Sequence, residues 1–204
     1  MLKENALTTI ERAKRFIYGD INEVEAKQNV TDDSRIADAV NAASAAIESY
    51  CRRKFKRQRH IQNVIDPTNE ILFNEYPVHE IATINGRLLN SLRIATFLES
   101  ESGILDIYGA QIRGIVEYEA GYTLPKDGTE DNPSDLPSDL ELATLRLVEK
   151  MYVDEDGFVG ESGSIKLGDW TVRDGTTSQQ DIDSVIPNEV AQLLDGHARQ
   201  WVVT

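Results

Sequence analysis

The sequence predicts an α+β fold that is mainly α: a small helical bundle with a β-hairpin or strand insertion between its second and third helices. Two observations predict it. Apolar residues recur at spacings of three and four over Ile36–Tyr50 and again over Leu136–Tyr152, the period of a helix with one buried face. Between Ile61 and Tyr122 the pattern changes to short runs broken by turn residues, the signature of strands. At 204 residues the chain is long enough for one sizeable domain with an appendage.

The first helix is expected over about 8–18. Thr8 followed by Glu11 fits a capping box, and Ile10, Ala13, Phe16 and Ile17 form its apolar stripe. The second, over about 32–54, opens on Thr31-Asp32-Asp33-Ser34, residues suited to capping and to the positive end of the helix dipole. Ile36, Val40, Ala43, Ile47 and Tyr50 line one face, and five further alanines keep the rest slim. The β insertion covers about 61–122. Asn85-Gly86 is a strong hairpin signal. Across Ile115–Tyr122, Val116, Tyr118 and Ala120 alternate with Glu117 and Glu119, so one face is expected inside and the other wet. A loop rich in proline and acidic residues leads to the third helix, over about 138–153. Ile165–Val172 reads as a short strand pair around Gly168-Asp169. Pro187 opens a last short helix, with Val190, Leu193, Leu194, His197 and Trp201 on one face. The organisation expected is a single domain over 1–175 and a C-terminal segment over 176–204.

Asp and Glu total 35 against 21 Lys and Arg, a formal charge of -14. Such a chain is not expected to hold nucleic acid, because phosphate contacts need cationic side chains. An acidic surface beside DNA repels it and prevents sticking. No apolar run approaches the roughly 20 residues of a membrane span, and no secretory signal is visible. Cys51 is the single cysteine, which excludes an intrachain disulfide and favours assembly in the cytoplasm.

Reaction chemistry finds no foothold in the sequence. His60, His79 and His197 lack partners at metal-ligand spacing. Asp154-Glu155-Asp156-Gly157 departs from a calcium loop, which needs glycine at the sixth position and glutamate at the twelfth. Neither a nucleophile elbow nor a phosphate-cradling loop occurs. No catalytic residue, metal or cofactor is therefore expected. The one local charge anomaly is Arg52–His60, where Arg52, Arg53, Lys54, Lys56, Arg57 and Arg59 make six of nine residues cationic. Such a run compensates the end of a helix, or offers a complementary patch to an acidic neighbour; a DNA contact comes third, because the remaining field opposes it.

Four segments in this order resemble the phage head–tail connector family, the adaptor or head-completion proteins of tailed bacteriophages. They are Ile36–Tyr50 with its Arg52-Arg53-Lys54-Phe55 exit, Tyr76-Pro77-Val78 followed by Ile81, Val116–Tyr122 leading to Leu136–Leu140, and Leu167–Val172 before the last helix. Relative to the family, 19–31 and 88–102 are long and 176–186 is extended. The resemblance implies a non-enzymatic virion protein of the neck. It implies a homo-oligomeric ring, commonly a dodecamer, docked beneath the portal protein and offering a platform to the next tail-side neck or stopper protein. DNA would pass through its lumen without sequence-specific binding. The basic residues of 52–59 are then candidates for the subunit interface. By position in the family, Val190, Leu193, Leu194, His197 and Trp201 are candidates for the portal or neck contact. The competing reading is a small acidic DNA-mimic inhibitor or another non-catalytic binding module.

Overall fold

A computed structural model describes residues 1–19, 30–92, 94–153, 164–167, 170–173 and 186–198. The acidic turn at 154–157, the Gly168-Asp169 turn, the polar stretch 176–184 and Trp201 lie outside the described residues, as does most of 19–31. The chain divides into two compact units, one of residues 1–52 and 124–204, the other of 53–123.

The first unit is helical. Its elements are α1 (Ile10–Tyr18), α2 (Val30–Cys51), α3 (Ser138–Val153) and α4 (Asn188–Leu194), with one short strand pair described below. The α2 stripe of Ile36, Val40, Ala43 and Ile47 is fully buried, and so are Leu140, Ala143, Leu147 and Val148 of α3. The cap of α1 is Thr9, one residue later than the sequence suggests; its side chain accepts from the Arg12 N–H at 3.2 Å. Thr8 instead donates to Glu141 of α3, which also pairs with Arg12. A second stripe of α2 is polar and buried. Asn41 accepts from the Lys3 N–H at 2.8 Å, Ser44 from the Leu7 N–H at 3.0 Å, and Glu48 from the Asn5 side chain at 2.8 Å. Positions 41, 44 and 48 share a helix face. They hold residues 1–7 along α2 by satisfying polar groups that burial would otherwise leave bare.

The second unit is built of strands: β1 (Gln58–Thr68), β2 (Glu70–Leu72), β3 (Val78–Ile84), β4 (Arg87–Leu88), β5 (Ala95–Glu99), β6 (Ile104–Tyr108) and β7 (Ile112–Ala120). They form two antiparallel sheets, ordered β1-β7-β3-β4 and β2-β6-β5. Between them lies a core of its own, which includes Ile71, Phe73, Ile81, Leu105, Val116 and Tyr118. The Tyr118 ring packs on Phe73 with centroids 4.3 Å apart. Phe55 and Tyr122 close the base of the unit. The Tyr122 N–H donates to the Phe55 carbonyl at 2.7 Å, and the Arg57 N–H to the Tyr122 carbonyl at 2.8 Å. Gly121 sits here at φ 105°, where a Cβ would lie 2.7 Å from the Lys56 carbonyl oxygen, so only glycine allows this approach.

The helical unit also carries the short pair β8 (Ser164–Leu167) and β9 (Trp170–Arg173), antiparallel to one another.

The fold is therefore not mainly α. Among the described residues helix takes 35% and strand 29%, a sheet-rich α+β fold with two antiparallel sheets. The expectation of a helical bundle with a hairpin insertion underweights the middle of the chain. Short strands give weak periodicity one by one, whereas long helices give strong periodicity. The weight of 53–123 appears only when its strands pair across the sequence, as β1 does with β7 and β2 with β6.

Candidate assembly surfaces

The basic run does not behave as one patch. Arg52 is exposed at φ 54°, just beyond the end of α2. Arg53 is only 2% exposed. Its guanidinium stands 3.5 Å from the centroid of the Tyr76 ring and 5.0 Å from that of Phe55, and it donates to the Tyr76 carbonyl. The planar, weakly hydrated guanidinium suits such stacking, which an ammonium does not reproduce. Lys54 is exposed and its backbone N–H donates to Glu75 at 2.8 Å; Lys56 is half-buried. Arg57 and Arg59 are exposed on and beside β1. Arg57 Nε lies 2.6 Å from Glu119 Oε1, and Arg59 stands opposite Glu119 in the β1–β7 register. The run thus divides by burial: Arg53 is enclosed, Lys56 is half-buried, and Arg52, Lys54, Arg57 and Arg59 are exposed.

Burial raises the Tyr122 phenol above its ordinary value, with the charge of Arg53 opposing it. Burial lowers His60, partly offset by a hydrogen bond with the Ala120 backbone. Neither group lies in a cluster able to hold a metal ion, and no such cluster occurs among the described residues. No described helix is long and apolar enough to cross a membrane.

Next to Arg59, the outer face of the larger sheet carries exposed isoleucines among polar residues such as Asn63, Glu117 and Glu119. Ile61 and Ile65 of β1 are 73% and 69% exposed, and Ile115 of β7 is 49% exposed. Asn63 pairs with Ile115 and Ile61 with Glu117, so Ile61 and Ile115 are diagonal neighbours on one face.

The C-terminal residues point mainly into their own unit. Val190 and Leu194 are buried, Leu193 is half-buried, and Trp201 lies outside the described residues. His197 Nε2 is 2.7 Å from Asp139 Oδ2 in the first turn of α3. The Tyr50 hydroxyl donates to Asp195 at 3.0 Å, which ties the residue after α4 to α2. Burial pushes the Asp139 carboxyl up, but the hydrogen bond and charge of His197, with backbone N–H donors, outweigh it and hold the carboxyl below its ordinary value.

Charge is strongly segregated between the units. The strand unit holds eight Lys and Arg against nine Asp and Glu, and the helical unit holds 13 against 26. Nearly all of the acidic excess therefore belongs to the helical unit. The charge segregation and the exposed isoleucines of the larger sheet mark these surfaces as candidates for contact with other chains.

The family model for head completion proteins matches residues 7–199, and the chain belongs to this family of structural virion proteins of the head–neck region. Among solved structures, the chain is similar to one described as the neck of an empty GTA particle computed with C6 symmetry. Identity is 14% and the TM-score 0.57, with 100% of this chain and 95% of that one covered, a likeness of fold. No curated protein matches.

Proposed function

We propose that the chain forms a homo-oligomeric ring in the neck of a phage or phage-like particle. The ring docks on the portal protein, extends the DNA channel and presents a platform to the next neck or stopper protein. The family match over nearly the whole chain carries this reading. Likeness of fold to a neck protein from end to end supports it. Copy number is set by the symmetry of the partner. A neck computed with C6 symmetry is compatible with six copies or a multiple of six, and does not single out twelve.

The charge distribution suits the role. A lumen that passes DNA must not hold it, and the acidic excess opposes adhesion at distances up to the screening length of about 10 Å at 0.1 M salt. The subunit contact draws on the basic run 52–59, chiefly on its exposed members Arg52, Lys54, Arg57 and Arg59, since Arg53 is only 2% exposed. The portal or tail-side contact uses the C-terminal segment from about 176, through Leu193 and through Trp201, because Val190, Leu194 and His197 are engaged within the helical unit. The role is architectural and needs no catalytic group.

DNA-filled heads made without this protein provide the test. Adding the purified chain is expected to produce heads that accept tails and retain their DNA. Heads that mature equally well without it would contradict the reading.

A further inference from the structure

At one end of the strand unit, the β3–β4 hairpin and the turn before β7 enclose a pocket of about 450 Å³. Ile84, Leu92 and Ile112 help form an apolar floor, and Arg87 and Arg113 reach it from two different strands. No carboxylate occurs among the described residues that line it. One side chain ties the β3–β4 turn to β7. Asn85 donates from Nδ2 to the Arg113 carbonyl at 2.8 Å and accepts at Oδ1 from the Ile115 N–H at 2.8 Å. Two cations over an apolar floor select a protruding acidic peptide. A bare phosphate would gain nothing from the floor.

The chain contains such a peptide in its acidic helical unit. Between Leu124 and α3, the Thr129 N–H donates to the Asn132 carbonyl at 2.9 Å, and the Asn132 N–H to Thr129 Oγ1 at 3.1 Å. This closes a tight turn with exposed Glu130 and Asp131 at its tip. The turn is narrow and already ordered, so little conformational entropy is lost when it docks.

We propose that this pocket receives the Glu130-Asp131 turn of a second copy and so forms an essential part of the heterologous contact that propagates the ring, beside the basic run. Different surfaces of each copy are used, as a ring requires. The inference rests on the ring reading above and specifies its interface.

Assembly on portal-bearing heads tests it. Arg87→Glu with Arg113→Glu is expected to lower ring occupancy about tenfold or more, since opposed charges become like charges. Both arginines are exposed, so the thermal melt should stay unchanged. Adding Glu130→Arg and Asp131→Arg should restore the ring. Separately, Arg87→Cys with Glu130→Cys should give a ladder of disulfide-linked multimers, because native Cys51 is buried and does not compete. Full occupancy with the reversed arginines, no recovery on the charge swap, or absence of the ladder would each overturn the proposal. Duplex binding by the rings that depends on Arg87 and Arg113 would assign the pocket to DNA and overturn it as well. Failure of the unaltered chain to form rings would instead remove the reading beneath it.

Discussion

Asn85 and Gly114 share one space: the Asn85 Oδ1 atom lies 2.1 Å from where a Cβ on residue 114 would stand. The amide side chain can bridge β3 and β7 because residue 114 has no side chain and adopts φ 117°. Gly114→Ala should therefore destabilise the protein by about 1–3 kcal/mol, combining backbone strain with loss of the bridge. A double-mutant cycle in urea with Asn85→Ala should show strong non-additivity, because the first substitution already removes what the second deletes. Additive effects would mean that the two residues are not coupled.

Arg53 and Arg59 look alike in the sequence and should behave differently. Arg53→Ala removes a stacked, enclosed group and should destabilise by about 2–4 kcal/mol, in the range of large-to-small core changes. Arg59→Ala at the exposed start of β1 should stay within about 0.5 kcal/mol. Equal losses in chemical denaturation would show that Arg53 is not enclosed as described.

Much of the fold is legible in the residue pattern because local periodicity decides it. The α2 stripe, the alternation of Val116, Tyr118 and Ala120, and the Asn85-Gly86 turn all read directly. What is not legible depends on partners far along the chain. Nothing near Arg53 signals that Tyr76 will cover it, and nothing near His197 signals Asp139. The polar stripe Asn41, Ser44 and Glu48 resembles a solvated helix face until residues 1–7 lie upon it. The exposure of the candidate assembly residues depends on such distant partners as well. A run of cations in sequence becomes one buried, one half-buried and four exposed groups only after the strands have paired.

Ser44 provides a test of the stripe. Its hydroxyl donates to the Val40 carbonyl at 2.7 Å while accepting from the Leu7 N–H. Ser44→Ala leaves that buried N–H without a partner and should cost about 1–3 kcal/mol. Hydrogen exchange at the Leu7 amide should accelerate more than exchange in the body of α2. Unchanged exchange at Leu7 would contradict the assignment.

Asp139 sets part of the acid limit of stability. Its folded pKa is depressed, so its contribution is present above the ordinary carboxyl value of 3.8 and is lost as pH falls through the lowered folded value. The side chain is 47% exposed, so solvent screens the pair with His197 and the effect is modest. Asp139→Asn should flatten the stability profile below about pH 4 and loosen α4 relative to α3. An unaltered acid limb would show that the pair contributes nothing.

Electron microscopy of portal-bearing heads with the chain added, reconstructed without imposed symmetry, tests whether this chain is a ring subunit of the particle neck. An annulus is expected beneath the portal, with repeating density that fits the helical and strand units of this chain in six copies or a multiple of six. A neck without that density, or one copy at a site off the axis, would contradict it.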